Sequence, residues 1–160
     1  MPHVKGAIPI HAPVEKVYAY LSDLAKMSDW CAPVVEARWL NRTPDIVDST
    51  AEMVVKIAGQ RIPSELVVLK ADSPHHFSAR ALTGVRGTYD WTLEPVPGGT
   101  LVTRTIDWAL PPSILGREIE ALYFERTQKR TVDQDLENVK TVIERELTHN
   151  DQPTDGMEAT

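Results

Sequence analysis

The sequence predicts an α+β domain in which one long C-terminal helix covers one face of an antiparallel sheet of about seven strands. Three observations carry that prediction. Between Val34 and Leu110 the chain falls into six β-like runs. Turn chemistry separates them at spacings too short for crossover connections, so consecutive runs pair antiparallel. After them, Ser113 to Leu147 reads as one amphipathic helix.

Val4 to Ile10 opens the chain as a short strand, and His11-Ala12-Pro13 closes it with a proline suited to the first turn of a helix. Val14, Val17, Tyr18 and Leu21 follow at helical spacing, which predicts about three turns, with Glu15 near the positive end of the helix dipole. Ser22 or Asp23 caps a second, shorter helix from Leu24 to about Trp30. The six strands are Val34 to Leu40, Thr50 to Ile57, Arg61 to Lys70, His76 to Leu82, Val85 to Glu94 and Leu101 to Leu110. Their punctuation is Thr43-Pro44-Asp45, Ala58-Gly59-Gln60, Asp72-Ser73-Pro74, Thr83-Gly84 and Pro97-Gly98-Gly99.

Alternation assigns an inward face of Met53, Val55 and Ile57; Phe77, Ala79 and Ala81; Tyr89, Trp91 and Leu93; and Val102, Ile106 and Trp108. Arg61 to Lys70 is too uniformly apolar to orient. Two features of this face are odd for solid packing: the Phe77 strand is dominated by alanine, and Arg104 shares the inward parity.

Pro111 and Pro112 end the last strand, and Ser113 caps the helix. In its second half Val132, Leu136, Val139, Ile143 and Leu147 form a buried stripe. Traced backwards, that face reaches Lys129, Glu125, Leu122 and Glu118 and becomes charged. Either the helix buries a rotated face there, through Leu115, Ile119, Leu122 and Tyr123, or the charges border a cavity in which a ligand or a partner charge satisfies them. Residues 148 to 160 are polar and aperiodic, so the domain is expected over 1 to 147 with a disordered tail at 148 to 160.

Composition narrows the function. The 160 residues, 42% of them hydrophobic, suit a single domain with an ordinary core. A formal charge of -6 without a basic block argues against nucleic acid and anionic membranes as partners. The single cysteine, Cys31, forms no intramolecular disulfide and reads as a buried small residue. With no secretion signal and no apolar run near 20 residues, a cytoplasmic location and no membrane span are expected. His75 and His76 point to opposite faces if extended and share no ligand spacing with Cys or His, so no metal is assigned. Phosphate loops, dinucleotide fingerprints and nucleophile elbows are missing, and no cofactor is expected.

The order of elements resembles the helix-grip fold of the START-like, polyketide cyclase/dehydrase and birch-pollen-allergen superfamily. Ile8-Pro9-Ile10-His11-Ala12-Pro13-Val14-Glu15-Lys16-Val17-Tyr18 is similar to its first strand and helix, Ser22-Asp23-Leu24 with Trp30 to its aspartate and tryptophan segment, and Gly99-Thr100-Leu101-Val102-Thr103 to the Gly-Thr start of its last strand. The resemblance covers about residues 4 to 147 and implies a curved sheet around the long helix, with a cavity used for hydrophobic small molecules. It singles out no subfamily and carries over no catalytic residue.

Candidate cavity residues are Tyr89, Trp91, Arg104 and Trp108 from the sheet, Leu122 and Glu125 from the helix, and Trp30 near the mouth. An inward guanidinium needs a partner, and Glu125 is the expected one. A one-residue slip or bulge would instead turn Arg104 outward. Three functions remain open. The first is binding or carriage of a lipid, quinone or polyketide-like molecule. The second is metal-free cyclase, aromatase or dehydratase chemistry assisted by Arg104 with Tyr89 or Glu125. The third is a protein-interaction module.

Overall fold

The structure, a computed structural model, describes residues 3–57, 59–109 and 118–151, and leaves the side chains of 3, 108, 109, 118–125 and 148–151 undescribed. Strand β1 (His3–Ile10) leads into helix α1 (Val14–Leu21), a 3-10 turn (Leu24–Lys26) and helix α2 (Met27–Trp30). Strands β2 (Val34–Asn41), β3 (Thr50–Ile57), β4 (Gln60–Asp72), β5 (His76–Ala81), β6 (Arg86–Val96) and β7 (Gly99–Ala109) follow, then helix α3 (Glu118–Asp151).

All seven strands form one antiparallel sheet in the order β1-β7-β6-β5-β4-β3-β2. The meander needs only hairpins, while β1 joins its far edge against β7. This is the α+β helix-grip arrangement. The inward parity holds wherever side chains are described: Met53, Val55, Ile57, Phe77, Ala79, Ala81, Trp91, Leu93, Val102 and Ile106 are buried, and Tyr89 is half-buried. The structure also orients β4, whose Ile62, Ser64, Leu66 and Val68 are buried before a register shift between Val68 and Lys70.

Helix α1 has eight residues rather than three full turns. It stops because the chain turns at Ser22, whose N–H reaches the Tyr18 carbonyl while the Asp23 N–H reaches that of Tyr20, and Asp23 then starts the next turn by accepting the Ala25 N–H at 3.3 Å. The other Asp23 donor is the Trp39 indole, at 2.8 Å, which ties this corner to β2.

The Gly-Thr pair that opens β7 has a steric cause. A Cβ on Gly99 would overlap the carbonyl oxygen of Ile10, so only glycine lets β7 start beside the end of β1. Thr100, fully buried, donates its hydroxyl to the Ala12 carbonyl at 2.8 Å and fixes the same corner.

In α3, Val132, Leu136, Val139 and Ile143 are buried as their spacing requires, and Leu147 is half-buried. The helix continues to Asp151, beyond Leu147. The expected Ser113 cap lies outside the described residues, and the side chains of Glu118, Leu122 and Glu125 are not described. Lys129, which is described, sits at the rim and donates to the Lys5 carbonyl and Asp133, each at 2.9 Å.

Candidate functional site

Arg104 is the inward residue between Val102 and Ile106 on β7 and is only 2% exposed. Register places it opposite Trp91 of β6, and the end of α2 brings Trp30 to the same spot. Its guanidinium carbon lies 4.8 Å from the Trp30 ring centroid and 5.1 Å from that of Trp91. The two indoles meet edge to face at 5.3 Å and 81°. Rings facing a buried cation offset part of its desolvation, more effectively than they would in water.

The counter-charge that the described residues supply is Asp135 of α3: Arg104 Nη1 donates to Asp135 Oδ2 at 2.9 Å. The Glu125 side chain lies outside the described residues. Asp135 accepts two further donors, the Ala32 N–H at 3.0 Å and the Cys31 thiol at 3.4 Å. A buried ion pair is tolerated when the remaining lone pairs are met, and three donors on one carboxylate do that. Asp135 stands three residues after Val132 and four before Val139, on the apolar stripe itself. That placement was visible as an acid inside the stripe. Gln128, four residues before Val132, is a second buried polar side chain on the same face.

Burial pushes the Cys31 thiol up to about 12; Arg104 pulls it down and Asp135 adds to the rise. The thiol therefore stays protonated and donates, as a buried small residue would. Burial also raises the Tyr89 phenol, with potential from Cys31 adding to it and Arg104 opposing.

Two cavities flank the ion pair. One of about 50 Å³ lies between sheet and helix, bounded by Val55, Ile106, Gln128, Val132 and Asp135 among others. The second, about 20 Å³, lies among Trp30, Leu66, Phe77, Ala79 and Trp91. Met27, Tyr89 and Arg104 border both. The alanine that looked odd in the sequence has a local meaning here, since Ala79 lines the smaller cavity. Larger hollows, such as the one of about 500 Å³ beside His11 and Pro95, are open grooves away from the pair.

Trp30, Tyr89, Trp91 and Arg104 thus come together around one polar centre, while the side chains of Trp108, Leu122 and Glu125 lie outside the described residues. Reasoning from sequence missed Met27, Cys31, Asp135 and Gln128 as lining residues. His76 is separate from this centre: its ring meets Asp90 at 2.5 Å, and His75 is exposed.

A helix-grip sheet closed over a largely apolar interior with a buried charge pair defines a START-like ligand-binding fold. The sequence profile described as polyketide cyclase / dehydrase and lipid transport matches residues 1–144, and the chain belongs to that family. Its fold is similar to a crystal structure of TTHA0849 from Thermus thermophilus, with TM-score 0.74 and 19% identity over 89% of this chain and 97% of that one. It is also similar to the Zhui aromatase/cyclase from Streptomyces, with TM-score 0.73 and 18% identity over 91% and 94%. A START superfamily protein from Mycobacterium smegmatis gives TM-score 0.71 and 17% identity over 89% and 97%. Among curated proteins the chain finds no match. Identities this low establish the fold.

Proposed function

We propose that this protein binds or carries a hydrophobic or aromatic small molecule between its sheet and α3, with Trp30, Tyr89, Trp91 and Arg104 as contacts. The observation that carries the reading is the pair of cavities meeting at Met27, Tyr89 and Arg104, apolar walls around a few convergent polar groups. Their volumes fall below the roughly 300 Å³ of a typical ligand site, so uptake widens the interior. Met27, an unbranched side chain on a short helix, is the wall best suited to move.

Cyclase or dehydratase chemistry is the second reading, favoured by the polar centre and by the aromatase/cyclase named among the similar structures. The described lining suits binding better. Asp135 is committed to three donors, and the Cys31 thiol and Tyr89 phenol both hold their protons at neutral pH. Neither is poised as a general base. A cytoplasmic setting fits the single protonated thiol, and the described helices include none long and apolar enough to cross a membrane.

The test is a thermal-shift panel of quinones, sterols, fatty acids and polyphenols on wild type and Ala79→Leu, with chromatography of each bound compound after incubation. Ligand at one hundred times its dissociation constant stabilises by about 2.7 kcal/mol, a rise of roughly 5–10 °C for a chain of this length. Binding that Ala79→Leu weakens, with the compound recovered unchanged, is expected. Conversion of the compound would move the assignment to the enzyme reading.

A further inference from the structure

We infer that the interior seat is built for a neutral oxygen acceptor, such as a ketone on an apolar aromatic body, and discriminates against carboxylates. This rests on the binding reading above and names the chemistry of the same chamber.

The two cavities share three walls, Met27, Tyr89 and Arg104, so they are one chamber interrupted by side chains rather than two sites. On the smaller side of the chamber two donors are idle. Trp30 Nε1 and Arg104 Nε are buried and have no acceptor among the described residues. Both side chains line the smaller cavity. A buried N–H without a partner forfeits a hydrogen bond that a ligand oxygen restores. The hydroxyls of Tyr18 and Tyr20 are also unpartnered, but those residues line neither cavity, so the convergence of idle donors on the chamber is specific to Trp30 and Arg104.

Charge decides what kind of oxygen fits. The Arg104 cation is already closed by Asp135, with side chains 3% and 2% exposed. Cys31 is a neutral donor to the same carboxylate. The centre therefore carries no net charge for an anion to neutralise. A carboxylate would bring an uncompensated charge into a buried interior, beside the carboxylate of Asp135. A carbonyl brings lone pairs alone. Its apolar body meets Phe77, Leu66 and Ala79.

The experiment is isothermal titration of the full chain at neutral pH with three compounds of related shape: 1-tetralone, tetralin and 1-naphthoate. Tetralone is expected to bind about tenfold tighter than tetralin, from two restored hydrogen bonds, and naphthoate weakest of the three. Trp30→Phe keeps a ring and deletes one donor. Within that variant the ratio of tetralin to tetralone dissociation constants should shrink to about threefold, whatever the change in apolar contact does to both ligands alike. Equal binding of tetralone and tetralin, or naphthoate as the tightest ligand, overturns this inference and leaves the hydrophobic-binding reading intact. Failure of all three to bind overturns both.

Discussion

Removing Asp135 strands the Arg104 cation in the interior, so Asp135→Leu is expected to cost about 3–5 kcal/mol in urea unfolding. The double substitution Arg104→Leu with Asp135→Leu should cost less than Asp135→Leu alone, because no charge is left without a partner. Additive losses would show that the pair is not the unit described. The neighbouring thiol gives a pH signature. Its pKa rises from 9.0 to about 12 on folding, so the native chain holds that proton more tightly than the unfolded one. The resulting stability is intact below pH 9 and is lost as the pH climbs from 9 toward 12. Unfolding free energy should therefore fall between about pH 9 and 10 in wild type and stay flatter in Cys31→Ser. Above about pH 10 the raised phenols of Tyr20 and Tyr89 add a slope of the same sign. The same slope in both proteins below that pH would remove Cys31 from the account. Arg104 itself was legible in the sequence because its parity matched Val102 and Ile106. Asp135 was overlooked because charge drew attention to Glu125 upstream, whereas Asp135 sits among Val132, Leu136 and Val139 on the stripe that must be buried.

At the scale of elements, strand boundaries were legible to within a few residues because glycine and proline mark turns wherever the chain reverses. β4 was not orientable, since Leu66, Val67, Val68 and Leu69 are apolar on both faces; only pairing with β3 and β5 chooses. Helix α1 was overestimated because periodicity does not report where the chain turns to cap the next element. The Gly99 corner is the most exacting joint. Gly99→Ala should displace the start of β7 from β1 and cost about 1–3 kcal/mol in thermal or urea unfolding. A neutral effect would show that the corner relaxes freely. Gly6 is a milder case, since its Cβ would lie 3.0 Å from Val132, Asp133 and Leu136 side-chain atoms of α3. Close approach of α3 to β1 is what brings Asp135 over the sheet.

For the whole molecule, the fold was readable because element order, turn chemistry and one long amphipathic helix agree. The site was readable only in part, because a cavity is a property of side chains converging from β6, β7, α2 and α3 rather than of any one stretch. The interior combines dense packing around Val132, Leu136 and Val139 with small voids around one charge pair. The most direct measurement is native mass spectrometry of the purified chain, followed by denaturing extraction of whatever it holds. The account predicts a stoichiometric excess mass that is lost on denaturation and recovered as an intact hydrophobic compound. A bare mass, together with no thermal stabilisation by quinones, sterols, fatty acids or polyphenols, would contradict it.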